Sequence, residues 1–193
     1  MTSKGRVGRP SDPAIGEALR EAAEEVLTHH GYPELKVDRL VRQVGTTRAA
    51  FHRRYSGTAQ LALDILLRRF GDAPVVPTGR LFEDLLTLES HEVRMFADPL
   101  FRNIVFGLIM ANDPVVMESF GREFDVPRRE NLRAVLDAAL AHGDLAAGPE
   151  DFDYVCELMF GPLLAKIMGP GPSPDEATAR RIATTVHREL TAG

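Results

Sequence analysis

Tryptophan is absent from this chain, tyrosine occurs three times and cysteine once. The lone thiol, Cys156, excludes an internal disulfide and a cysteine-rich zinc centre. No long apolar run exists. The longest, Ile104 to Ala111, is far shorter than the roughly 20 residues a membrane span needs. The N-terminus is basic but lacks an apolar core behind it, so no signal peptide is expected, and a cytoplasmic protein is the expectation. Enzyme signatures are missing too: no Gly-x-Ser-x-Gly elbow, no Gly-Lys-Ser/Thr phosphate loop, no His-Glu-x-x-His and no Glu-x-x-His pair of a di-iron bundle. The six histidines are scattered. No catalytic residue, metal or cofactor is expected.

What is present is apolar, at 44% of 193 residues, enough for a core. The net charge of −5 hides an asymmetry. Residues 1–55 carry ten Lys/Arg against seven Asp/Glu, and residues 36–54 carry six basic groups against Asp38 alone. A basic island on an acidic chain is the footprint of a polyanion-binding module, although an ordinary solvated face would also carry it.

Helical spacing runs through the chain and strand-like alternation does not, so an all-α fold is predicted. Residues 1–10 read as a flexible basic arm. Asp12-Pro13 opens a first helix and Gly31 stops it. Short helices follow at 37–44 and 48–54, separated by Gly45-Thr46, with Thr47 as cap. A connecting helix spans 58–70. Beyond Pro74, Pro77 and Gly79, helices are expected at 79–96, 99–111, 114–142 (kinked by Pro127), 150–168 and 174–191. The domain division expected is an arm at 1–10, a DNA reader at 11–57, a connector at 58–70 and a helical body at 71–193.

Two short helices joined by a tight turn form a helix-turn-helix pattern. Leu40, Val41, Val44 and Phe51 pack it inward. The third helix then offers Thr47, Arg48, Ala49 and His52 to base edges in a major groove, with Arg53, Arg54 and Tyr55 near phosphates.

The stretch LVRQVGTTRAAFHRRYSGTAQL, Leu40 to Leu61, resembles the TetR/AcrR family of bacterial repressors, with Leu40, Gly45, Thr47, Phe51, Tyr55 and Leu61 in register. The upstream Gly8-Arg9-Pro10 and His30-Gly31-Tyr32 are also similar. The departures are His52 and Thr58, where the family has Tyr and Lys, and Lys36, where it often has Thr. The resemblance implies DNA contacts from Lys36, Thr47, Arg48, Ala49, His52, Arg53, Tyr55 and Thr58. It implies a homodimer on a palindromic operator and a small-molecule effector bound in the body. The same fold would serve an activator or a ligand-independent regulator. A carrier or enzyme with a vestigial reader is the remaining alternative.

The body is rich in Phe and Met. The helix at 104–111 is apolar on all sides and is expected to be buried on all sides. Phe82, Met95, Phe96, Phe101, Ile104, Phe106, Met110, Met117, Phe120 and Phe124 are the candidate walls of a pocket for a mainly apolar effector. His91, Arg94, Asn103 and Asn112 are the polar groups available to orient it. The stripes Phe152, Val155, Met159, Phe160, Leu163 and Ile167, with Ile182 and Val186, are the candidate dimer seam.

Overall fold

The computed structural model describes residues 13–71 and 74–192. The arm at 1–10 and the cap expected at Asp12 lie outside the described residues. Every regular element among the described residues is helical.

α1 (Pro13–His30) buries Leu19, Ala22, Ala23, Val26 and Leu27 on one stripe and ends before Gly31, whose φ of 77° suits only glycine comfortably. A 3₁₀ turn, Tyr32–Glu34, leads to α2 (Val37–Val44) and α3 (Arg48–His52). α4 (Thr58–Phe70) buries Ala59, Leu61, Ala62, Leu63, Ile65 and Leu66, nearly its whole circumference, because α1 flanks it on one side and α6 on the other.

In the body, aspartates start helices repeatedly. Asp98 caps α6 (Pro99–Ala111), Asp113 caps α7 (Pro114–Phe120), Asp151 caps α9 (Phe152–Met168), and Asp175 forms a capping box with Thr178 on α10 (Glu176–Thr191). In the first two cases proline follows at N1, where its missing amide costs nothing. α5 (Leu81–Ala97) is the central strut. α10 lies along it, and α6, α8 (Val126–His142) and α9 also touch it.

The kink expected at Pro127 takes a specific form. One π-helical turn, Gly121–Asp125, separates α7 from α8, and Pro127 sits at the first positions of α8. Proline has no amide to bond back and its ring crowds the carbonyl four residues earlier, so the preceding turn widens.

The helix at 104–111 is not buried on all sides. Its final turn is open: Ile109 is 52% and Met110 73% exposed. α6 spends its other faces on α4, α1 and α5, and the left-handed Asn112 then reverses the chain before anything covers the last turn.

Candidate nucleic-acid interface

The turn between α2 and α3 is closed by backbone bonds. Gly45 is left-handed (φ 70°, ψ 32°), its amide bonds Arg42 O, and Thr46 N donates to Val41 O at 2.9 Å. That pairing satisfies the last carbonyls of α2 and needs a residue tolerant of positive φ. The Thr47 hydroxyl accepts from Ala50 N at 3.1 Å and starts α3. Ala50 and Phe51 bury the inner side of α3, while Thr47, Arg48, Ala49, His52 and Arg53 are exposed. Lys36, the residue before α2, is exposed as well, and Thr58 at the start of α4 is half-buried with its hydroxyl 3.4 Å from that of Tyr32. Seven of the eight sequence-predicted contacts therefore reach solvent.

Tyr55 does not. It is 7% exposed, and its hydroxyl donates to Asp64 at 2.9 Å while accepting from Arg20 at 3.1 Å. Burial and the Asp64 carboxylate push its hydroxyl above the ordinary tyrosine range. A hydroxyl committed to α1 and α4 acts as a strut between them. Arg48 also differs from expectation. Its guanidinium makes a two-pronged hydrogen bond to Asp38 on α2, which pulls the Asp38 carboxyl below its usual range. Nothing in the residue spacing reveals that residues 38 and 48 face each other across the turn.

The reader is seated on the body. Tyr32 lies flat on Gly107 of α6, where a Cβ would stand 2.2 Å from its ring. Asn103 donates to Leu27 O at 2.7 Å, which accounts for this predicted ligand-orienting group. Asn112 is the cap of α6.

The ten candidate pocket residues mostly pack on one another. Phe101 meets Phe70, Phe96 and Phe124 at ring separations of 5.4, 4.8 and 5.9 Å, and Phe120 stacks on Phe124. Phe96, Phe101, Ile104 and Phe124 are buried core, and Phe106, Met117 and Phe120 pack half-buried against it. Phe82 meets His187 on α10, and Met110 points outward.

Space lies elsewhere, in two adjoining places that share His91. An open groove of about 230 Å³ is bordered by Arg69, Phe70, His91, Arg94 and Met95. A space of only about 10 Å³ is bordered by Leu88, His91, Glu92, Arg128, Asn131 and Phe160, among others. Of the predicted groups, His91, Arg94 and Met95 border these spaces. Missed were Glu92 and Arg128, 5% and 7% exposed, whose carboxylate and guanidinium approach to 3.4 Å.

In the candidate dimer seam, Val155, Met159, Leu163, Ile167, Ile182 and Val186 turn inward and are buried within the chain's own core. Phe152 and Phe160 are half-buried. A dimer seam on these helices would have to use the sides turned away from the core. On α9 that side carries Tyr154, Leu158, Gly161, Leu164, Ala165 and Met168.

A helix-turn-helix reader on an all-helical body defines a class, the DNA-binding regulators of transcription, and comparison with known proteins narrows it. Residues 19–65 match the description "Bacterial regulatory proteins, tetR family", and residues 75–186 match "Tetracyclin repressor-like, C-terminal domain". The chain belongs to the TetR family of transcriptional regulators. It is 23% identical over 188 residues to the HTH-type transcriptional regulator YdeS of Bacillus subtilis, covering 96% of this chain and 94% of that one. It is 24% identical over 186 residues to the HTH-type regulator Rv1556 of Mycobacterium tuberculosis, covering 92% and 90%. Among solved structures, the TetR family regulator SCO0332 superposes with a TM-score of 0.66 at 21% identity over 91% of this chain and 98% of that one. A TetR family regulator from Pseudomonas syringae gives 0.62 at 18%, over 91% and 94%. These similarities fix the fold, and they are to regulators rather than enzymes. No described helix is long and apolar enough to cross a membrane.

Proposed function

We propose that the protein is a cytoplasmic repressor that binds a palindromic operator as a homodimer and is released by a small effector held in its body. The observation that carries this reading is the outward face of α3, where Arg48, Ala49, His52 and Arg53 stand exposed on a helix held from behind by Phe51. Recognition helices of a symmetric pair reach successive major grooves roughly 34–36 Å apart. The domain division follows the same lines: reader to residue 57, connecting helix α4, body from 71.

The dimer seam in this reading is the outer face of α9. Gly161 and Ala165, four residues apart, let two such helices approach closely, and Leu164 and Met168, 36% and 67% exposed, supply apolar area. The outer face of α10 is charged, with Arg180, Arg181 and Arg188 exposed, and forms the rim.

An operator selected from random DNA tests the reading. Affinity should fall steeply with salt as phosphates displace counterions. Arg48→Ala should weaken binding to the selected sequence by about 1–3 kcal/mol and leave random DNA little affected, if the arginine exchanges Asp38 for a base. Equal loss on both DNAs assigns Arg48 to a phosphate. Failure to select any sequence removes the regulator reading itself.

A further inference from the structure

Glu92 borders a hole the size of one water and carries an unsatisfied carboxylate oxygen. The residue is 5% exposed. Its Oε1 lies 3.4 Å from Arg128 Nε, while Oε2 has no hydrogen-bond partner. A buried acceptor left without a donor is costly, and a hole of this volume admits about one water-sized group. The two Nη groups of Arg128 are spent on the fold, while its Nε, facing Glu92, has no hydrogen-bond partner. Its Nη1 donates to Phe124 O at 3.0 Å, and its Nη2 to Phe70 O at 2.5 Å and the Met95 sulfur at 3.2 Å. A second carboxyl, Glu89, stands one helical turn from Glu92, fully buried with both oxygens unpartnered, and burial keeps it protonated.

From this geometry we propose that the small space takes the ammonium end of a primary amine, with Glu92 as its acceptor, and that Arg128 passes its arrival to α4. This names the effector class of the ligand-responsive reading above and rests on it. An ammonium group matches a water in size and brings three donors and a positive charge to the Glu92 carboxyl. A trimethylated cation is too large and a carboxylate has the wrong sign. The His91 ring, which burial holds below its ordinary pKa, borders both the hole and the open groove. An apolar tail can lie there along Phe70 and Met95, because Arg69 and Arg94 are engaged by Glu24 and Glu176. The route to the DNA reader is short. Phe70 O, which Arg128 holds, is the last carbonyl of α4, so an ammonium that draws Glu92 from Arg128 loosens the end of that helix.

The test uses the full-length protein with butylamine and 2-phenylethylamine. Controls are the trimethylated form of 2-phenylethylamine, 2-phenylethanol and 3-phenylpropanoate. Thermal unfolding and operator binding are read for each. The primary amines should raise the unfolding midpoint and weaken operator binding at least about tenfold, and the three controls should do neither. In Glu92→Gln the amine shift should vanish, and in Glu92→Asp it should be reduced. Arg128→Lys should bind amine yet lose operator release. The proposal is overturned if no primary amine shifts the midpoint, if the alcohol or trimethyl compound does equally well, or if folded Glu92→Gln responds as the wild type does. The compound series on the wild type decides even if a variant fails to fold. Amine binding without operator release would leave the site standing and sink the ligand-responsive reading. Release by the carboxylate alone would do the reverse.

Discussion

Tyr55 ties α1 to α4 through Arg20 and Asp64, so Tyr55→Phe should cost about 1–2 kcal/mol in urea unfolding without changing the salt dependence of DNA binding. A changed salt slope would return Tyr55 to the phosphate contacts. Glu89 gives a sharper test. Burial, reinforced by Glu92, raises its carboxyl to about 9, against an ordinary value of 4.5. Below pH 4.5 both folded and unfolded states hold the proton. Between 4.5 and 9 the unfolded chain releases it and the folded one does not, so stability falls as pH rises, by up to about 1.4 kcal/mol per pH unit. Glu92, raised by burial to about 7 despite Arg128, adds to the slope up to that pH. Glu89→Met should therefore stabilise the protein by on the order of 1–3 kcal/mol at pH 8 and much less at pH 5. A gain equal at both pH values would show that Glu89 is ionised in the fold. The signal for these residues was present: Glu89 and Glu92 fall four and seven positions after Leu85, on the apolar phase of the helix. Glutamate in a solvent-accessible-looking Leu-Glu-Ser-His-Glu run is ordinarily surface, and periodicity without the neighbouring helices does not overrule that.

At the level of elements, the ends of helices were legible because capping chemistry is local. Asp-Pro pairs and left-handed glycines mark α6, α7, α2 and α8 in the sequence as they do in space. The facing of helices was not, since an apolar stripe states that a side is covered and not by what. On α9 the broad stripe from Phe152 to Ile167 is the intramolecular side, and the narrower row through Leu164 is left over. Leu164→Asp should accordingly yield a folded monomer, seen by light scattering at micromolar concentration, because a charge in a dimer core costs several kcal/mol while one on a free surface costs little. A dimer that survives this change locates the seam elsewhere. The contact of the 3₁₀ turn with α6 is a second element-scale test. Alanine is favoured over glycine by about 1 kcal/mol inside a helix, yet a methyl on Gly107 would overlap the Tyr32 ring. Gly107→Ala should then be net destabilising, by about 1–3 kcal/mol, and Tyr32→Ala in the same chain should recover most of the loss. Additive effects would mean the two are not in tight contact.

Over the whole molecule, two helices join reader to body, and they do so differently. α4 is continuous chain, while α6 grips α1 and Tyr32 from below through Asn103 and Gly107. A rotation of the reader must slide over α6 as well as bend α4, which confines the available motion to directions both contacts permit. The sequence exposed the covalent link only.

The π turn at Gly121–Asp125 has its own consequence for how this chain tolerates change in length. A regular helix advances about 100° per residue, so over the sixteen residues from Val116 to Leu132 an unbroken helix would bring these two core side chains to nearly opposite sides. One widened turn recovers roughly a residue's worth of rotation and lets both face inward, with Phe124 and Arg128 between them. The turn acts as a phase correction. Losing the residue that the turn absorbs would return it to a regular α-turn with the downstream phase kept. Removing one residue on either side of it, with the turn left in place, would swing every downstream side chain by about 100°, with Arg128 carried away from both Phe70 and Glu92. A lost residue in a surface loop shortens a path. Beside this turn it would change the direction in which half the body looks.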